Sequence, residues 1–397
     1  MKPLAITQHT LVTALGPGRE ATFAALREGR TGLARRGFET ADIGSWLGVV
    51  EGLDDMAWRE DLAAYDCRNN RLAEMALRSD DFGNAVRAAA THWGAGRVGV
   101  FLGTSTSGIL QTEVAYRHRA ADGALPDSLH YGETHNTASV ARYVRAALGL
   151  KGPAYVVSTA CSSSAKVYAA AERLIRLGLV DAAVVGGVDS LCMTTLYGFK
   201  ALELTSGEIC RPWDAGRTGL SIGEAAAFAL LERAGGACPA RAMGWLLGAG
   251  ESSDGHHMSS PHPEGAGAVL AMRAALAQAG LRPEQVDYLN LHGTGTAGND
   301  AAEDQAVCAV FGTALACSST KGYTGHTLGA AGGVEASIAL LALQHGLAPP
   351  SLNLQQQDPA LHAGLLREPL HKPLKVVASN SFGFGGSNAS LLFGAAR

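Results

Sequence analysis

No CxxC pair occurs among the seven cysteines, Cys67, Cys161, Cys192, Cys210, Cys238, Cys308 and Cys317, and their number is odd. A disulfide framework is therefore not expected, and a zinc site lacks its ligand spacing, so no metal is assigned. No apolar run reaches membrane-spanning length before Gly or a charge interrupts it. Residues 1–18 carry one early Lys and a broken apolar stretch, without a signal-peptide core or a small-residue cleavage site. The expected compartment is the cytoplasm. Positive charge is not in excess either. A formal net charge of −4 gives no polybasic reason to invoke nucleic acid or an anionic membrane surface.

What is present is a long, apolar, glycine-rich chain. Its 397 residues, 47% hydrophobic, exceed one ordinary core and point to two domains or one duplicated one. The 50 glycines punctuate apolar runs rather than forming a low-complexity tract, which favours close-packed α/β structure over disorder. Short β-type runs at 98–102, 154–157, 182–185, 286–291 and 376–378 alternate with helical stretches at 164–177, 268–279 and 334–344. That alternation predicts α/β architecture with much buried sheet.

An internal echo accompanies it. VGVFLGTSTSG at 98–108 resembles VDYLNLHGTGT at 286–296. Each reads as a strand ending in a Gly/Thr-rich turn. A strand, Cys161 and a helix follow the first; the run 314–319, His326 and a helix follow the second. Chance similarity competes with duplication here. If the chain is duplicated, the halves meet near Arg233–Pro239, which divides it into 1–235 and 236–397.

Four segments carry chemistry. In STACSSSA at 158–165, an apolar strand runs through small residues into an Ala-rich helix. Cys161 then sits at a helix N-terminus, where free N–H groups and the helix dipole favour a thiolate. A buried structural cysteine is the rival reading, and it stands for the other six. In LHGTGT at 291–296, His292 ends a strand and opens a loop. Its imidazole there could donate to a carbonyl gaining charge, or be a satisfied structural histidine. Thr294 and Thr296 could bond the amides of an extended ligand. A phosphate loop is the competitor, but the Walker lysine spacing is absent.

In STKGYTGHTLGAAGG at 319–333, His326 precedes a helix of small residues, a position that favours neutral imidazole. Lys321 is either a surface charge or half of an internal ion pair with Glu303 or Glu335. In NSFGFGGSNAS at 380–390, a glycine-rich loop carries Phe382 and Phe384. It is either a plain turn or a loop that aims an N–H at an oxyanion and swings a ring across a tunnel.

Taken together and in order, these four blocks resemble the β-ketoacyl-acyl-carrier-protein synthase family, the elongating Cys-His-His type. The likeness spans nearly the whole chain, including RPWD at 211–214, IGEA at 222–225 and HMSSP at 257–261. The resemblance implies a thiolase-like five-layered αβαβα sandwich of two similar halves. It implies Cys161 as the acylated nucleophile, His292 and His326 as partners in decarboxylation, and Lys321 as support. Cys161 and Phe384 N–H groups would form the oxyanion hole. Phe384 would gate the tunnel, with Ile109 its partner. Thr294, Thr296 and Phe382 would contact substrate, and Glu303 and Glu335 would brace the site. The implied reaction is ping-pong condensation with malonyl-acyl-carrier protein. It needs no tightly bound cofactor, because substrates ride on carrier-protein phosphopantetheine. The implied partners are an acyl carrier protein and a second synthase-like chain, in a homodimer or a heterodimer.

Two departures from housekeeping fatty-acid members are visible: Ser164 where they have Gly, and Asp189 where they have Glu. The surrounding stretches look more like synthases of bacterial aryl-polyene pigment pathways. Carrier proteins are acidic, so Arg68 and Arg71 are possible docking residues. Among rivals, an initiating Cys-His-Asn synthase would have Asn at His326. A degradative thiolase needs a second Cys near the C-terminus, and none follows Cys317. A non-catalytic chain-length-determining partner subunit typically lacks the nucleophile.

Overall fold

The apolar runs become neighbouring strands of one twelve-stranded sheet in the computed structural model, which describes residues 2–234 and 242–396. The junction expected at 235/236, and Cys238 with it, lie outside the described residues. Five strands of the N-terminal part run in the order Ala154–Val157, Val98–Gly103, Ala182–Asp189, Ala225–Glu232, Leu4–Thr13. The first three are parallel, and the next two pairings are antiparallel. The C-terminal part repeats this order and polarity with Ala316–Ser318, Tyr288–Asn290, Val376–Gly383, Ser387–Ala395 and Gly244–Ser253. The two sets join antiparallel, Leu4 opposite Leu246. The echoing segments 98–108 and 286–296 therefore begin on strands that hold equivalent places.

Strand faces explain the layering. Val98, Val100 and Leu102 pack with Leu72, Ala76 and Val144 on one side, whereas Phe101 joins Tyr168, Val185 and Leu340 on the other. With both faces covered, such strands read as continuous apolar runs rather than alternating ones. Helices Arg68–Arg78, Phe82–Trp93 and Ser139–Ala147 cover the first outer face. Helices Ser163–Arg176 and Ala331–His345 lie between the two sets of strands and touch both. Ala266–Ala279 and Ala297–Phe311 close the far side over Met272, Leu289 and Val307. This is the five-layered αβαβα sandwich of two similar halves, with a single hydrogen-bonded sheet supplying both β layers.

The central helix Ala331–His345 is buried almost throughout, as its nearly all-apolar circumference requires. The strand expected at 376–378 extends to Gly383. Its polar extension is buried because antiparallel pairing with Ser387–Ala395 satisfies the backbone and Asn380 bonds Glu303. No helix among the described residues is long and apolar enough to cross a membrane.

Candidate active site

Cys161 follows a strained turn. The strand Ala154–Val157 ends, Ala160 takes φ of 51°, and the helix Ser163–Arg176 begins. A non-glycine residue in that region costs on the order of 1 kcal/mol. The Ser163 hydroxyl repays part of it, accepting from Thr159 N at 2.9 Å and donating to Ala160 O at 2.5 Å. The turn aims Cys161 Sγ at His326 Nε2, 3.0 Å away. His326 lies between two short helical turns. Its backbone is clamped to the strand Ile222–Gly223, with N donating to Ser221 O at 2.7 Å and O accepting from Gly223 N at 3.0 Å.

His292 comes from the end of the strand Tyr288–Asn290. Its ring stands at 84° to that of His326, centroids 5.3 Å apart. One ligand atom each from Cys161, His292 and His326 lies within 4.8 Å of the other two. A cysteine and two histidines from separate parts of the chain thus meet in one buried cluster that lines a cavity of about 590 Å3. Thr294, Thr296, Phe382 and Phe384 also line it.

Behind the cluster the charges are ordered. Lys321 Nζ forms an ion pair with Glu335, donates to the His292 carbonyl and stands 3.4 Å from His292 Nδ1. Glu303 is not its partner. That carboxylate accepts from His292 N and Gly293 N, both at 2.8 Å, and from Asn380 Nδ2 at 3.2 Å. Of the two ion-pair options for Lys321, Glu335 holds and Glu303 does not. The reason is that Glu303 is consumed in fixing the backbone on which His292 sits.

Burial, reinforced by Lys321, holds both imidazoles well below their ordinary pKa, so both are neutral. Burial also raises Glu303 to about 7, against the His292 and Gly293 N–H groups. The expectation for Cys161 is corrected. Burial pushes its thiol up to about 12, outweighing Lys321 and the Phe384 N–H bonded to it. Cys161 at rest is a thiol, because desolvating a thiolate costs more here than the helix end and one ammonium return.

Other expectations are also corrected. Ile109 packs in the apolar cluster with Leu328 and Phe199 and is not among the residues lining the cavity. Phe199 stacks on Phe384, centroids 5.6 Å apart. Arg68 cannot be a docking residue. It is buried, with Nη2 and Nε on Glu224 at 2.6 and 2.9 Å. Arg71 is turned to Asp66 at 2.6 and 2.7 Å and to the carbonyls of Leu53 and Met56. Both brace the chain. Thr294 and Thr296 bond each other at 2.8 Å within the cavity wall, and Phe382 packs 5.8 Å from the His292 ring. Phe199, and the Asn388–Asp254 bond of 2.7 Å that ties the Phe384 loop down, were not anticipated. Nothing in the sequence around them marks a contact made across separate elements.

The comparisons with known proteins agree with this geometry. The family model described as "Beta-ketoacyl synthase, N-terminal domain" matches residues 73–237, and "Beta-ketoacyl synthase, C-terminal domain" matches residues 243–355. The chain is 32% identical to 3-oxoacyl-[acyl-carrier-protein] synthase 2 of Vibrio cholerae, covering 98% of each chain. It is 38% identical to nodulation protein E of Rhizobium meliloti over 78% of this chain and 76% of that one. Among solved structures, a ketosynthase from Xenorhabdus doucetiae in complex with its chain length factor superposes with a TM-score of 0.90. It shares 37% identity, with 100% and 98% of the two chains covered. A beta-ketoacyl synthase from Burkholderia phymatum gives 0.89 at 32% identity over the whole of both chains. With the reactive cluster, the repeated sheet and these relatives on record, the chain belongs to the beta-ketoacyl synthase family.

Proposed function

We propose that this chain joins an acyl group held on Cys161 to a two-carbon unit from malonyl-acyl-carrier protein by decarboxylative Claisen condensation. One observation carries the reading: Cys161 Sγ lies 3.0 Å from His326 Nε2, with the neutral His292 ring set across it, all three lining a single cavity. In the first half-reaction His326 accepts the Cys161 proton as Sγ attacks the carrier-bound thioester. The Cys161 and Phe384 N–H groups receive the oxyanion. The carrier thiolate leaves and takes the proton, and the acyl group remains on Cys161.

In the second half-reaction a malonyl thioester occupies the cavity along Thr294 and Thr296. Lys321 has only donors to offer, so Nδ1 of His292 faces it as an acceptor and the ring proton sits on Nε2. That tautomer donates to the malonyl thioester oxygen. The bond to carbon dioxide breaks, its electron pair forms the enolate, and His292 and His326 stabilise the new charge. The enolate carbon attacks the Cys161 thioester. The carbon–sulfur bond breaks, and the released thiolate is reprotonated. Nδ1 of His326 has no hydrogen-bond partner among the described residues, so its surroundings lock neither tautomer and the ring is suited to accept in one step and donate in the next.

Substrates would arrive on the phosphopantetheine of an acyl carrier protein, and the scheme requires no tightly bound cofactor. The second chain of the dimer is a copy of this one or a chain-length-determining relative; the Xenorhabdus neighbour, a ketosynthase with its chain length factor, supports the heterodimer. The division at 235/236 is supported by the repeated strand order on either side. Cytoplasmic action and an aryl-polyene substrate are further parts of the proposal, the latter resting on the segments around Ser164 and Asp189. The alternative, that the chain is itself a non-catalytic partner, is disfavoured by the intact Cys161, His292 and His326. Mass spectrometry after incubation with acyl-carrier protein decides. An acyl adduct on Cys161, discharged by malonyl-carrier protein, is expected; its absence would establish the partner role. Preference for saturated over aryl primers would remove the aryl-polyene assignment.

A further inference from the structure

The repeated halves allow each part of the reactive site to be matched with its counterpart. Ala160 and Leu328 both have φ of 51°, and each lies three residues before a central helix, Ser163–Arg176 or Ala331–His345. Gly329 is therefore the counterpart of Cys161. By the strand registers, which pair Phe101 with Val185 and Asn290 with Ser379, Gly103, Thr104 and Ser105 are counterparts of His292, Gly293 and Thr294. The strands Ala182–Asp189 and Val376–Gly383 also correspond, and each ends on a residue paired with the start of the following antiparallel strand. Asp189 is the counterpart of Gly383.

Besides the exchange of Cys161 for Gly329, the matched positions differ in what fills the space before the N–H of that residue. In the reactive half a Cβ on Gly383 would stand 2.7 Å from Thr159 O and 3.2 Å from Cys161 N, so glycine leaves the space before that N–H open. In the other half the same space holds the Asp189 carboxylate. It accepts from Gly329 N at 2.5 Å, Thr104 Oγ1 at 2.6 Å, Ser105 N at 2.7 Å, Thr106 N at 2.9 Å and Thr106 Oγ1 at 3.0 Å, as well as from Ser105 Oγ. Asp189 is fully buried, and no cation is among these partners. A carboxylate held only by neutral donors, on a backbone built like the reactive centre, marks an anion site.

We propose that the second half retains a small-carboxylate site which Asp189 fills from within the chain, and that Asp189 is thereby a positioning residue for His326. Its bond to Gly329 N pins the strained Leu328 turn, two residues beyond His326, while its other oxygen pins the turn that leads into the helix carrying Ile109. A side chain at position 329 is excluded, since its Cβ would fall 2.7 Å from the Asp189 carboxylate. The anion site stands on geometry alone, whereas the positioning role rests on the reactive assignment of His326 made above.

The test replaces Asp189 with Gly and supplies formate. Melting temperature and the rate of Cys161 alkylation by iodoacetamide are followed in sodium formate and, at matched ionic strength, in sodium chloride. Neither measurement needs a carrier protein, so their outcome is separate from that of the condensation assay. The variant should melt lower than the parent, and formate should restore it saturably while leaving the parent unchanged. Alkylation should change in the variant and return with formate, because the His326–Cys161 contact is restored. In the condensation assay the loss should be on the order of 100-fold, as for a misplacement of about 1 Å, and formate should recover part of it. Asp189→Asn, which fills the site with an amide, should show the defect without a formate response. A folded Asp189→Gly chain indifferent to formate overturns the anion site. Formate-dependent stability with unaltered alkylation overturns the positioning role. If Asp189→Gly does not fold alone, refolding in formate replaces the melt: recovery only in formate supports the site, and no recovery overturns it.

Discussion

Lys321 Nζ stands 3.4 Å from Nδ1 of His292 while its charge is matched by Glu335, so one buried ammonium both sets a tautomer and closes an ion pair. Lys321→Met would remove both functions. Leaving Glu335 buried without its cation should cost on the order of 3–5 kcal/mol in urea unfolding. Lys321→Met combined with Glu335→Gln should recover much of that stability but not condensation, because His292 would still lack its donor. A single variant within about 1 kcal/mol of the parent, by the measure of an exposed pair, would refute the buried pairing.

The Cys161 thiol, pushed by burial to about 12, predicts a particular pH profile. Alkylation by iodoacetamide should rise about tenfold per pH unit from neutrality upward, without the plateau near 8.5 that a free cysteine shows. A plateau at or below pH 8.5 would contradict the buried-thiol assignment.

Arg68 holds the buried Glu224 carboxylate, which also accepts from Val50 N and Leu191 N, each at 3.0 Å. Arg68→Ala should destabilise the fold by about 3–5 kcal/mol in denaturant titration, since it leaves an uncompensated buried charge. The folded fraction should bind carrier protein as tightly as the parent does. Weakened binding without a stability loss would return Arg68 to a docking role.

His9 gives the acid limb a testable slope. Burial, with Arg19 and His345 adding to it, lowers its pKa from 6.5 to about 3, so the folded chain holds it neutral. A group depressed in this way contributes its stability fully above 6.5 and loses it as pH falls from 6.5 toward 3, by about 1.4 kcal/mol per unit. His9→Leu removes that titration; among the described residues Nδ1 has no partner to forfeit, and Nε2 gives up the Gln344 Nε2 contact at 3.3 Å. Melting temperature should then fall less steeply between pH 6 and 4, within roughly that linkage. An unchanged slope would show that His9 is not the titrating group.

Much of the architecture was legible along the chain. Residues 154–157 read as a strand and form one; the helical stretch read at 164–177 is the helix Ser163–Arg176. Such segments advertise themselves because strands covered on both faces must be apolar throughout, and a helix between two β layers must be apolar all round. Polar segments were harder. Residues 379–383 continue a strand that periodicity ended at 378, since their burial depends on partners far off in the chain.

Composition and local pattern singled out Cys161, His292 and His326, marked where turns fall and carried the echo between the two halves. Tertiary structure alone decided which carboxylate pairs with Lys321, that Phe199 stacks on Phe384, that Arg68 faces inward, and that the Cys161 thiol is protonated at rest. The physical reason is that strand and helix periods are short-range properties written in neighbouring side chains. Pairing and desolvation depend on which distant groups share a few ångströms of space, and no local pattern records that.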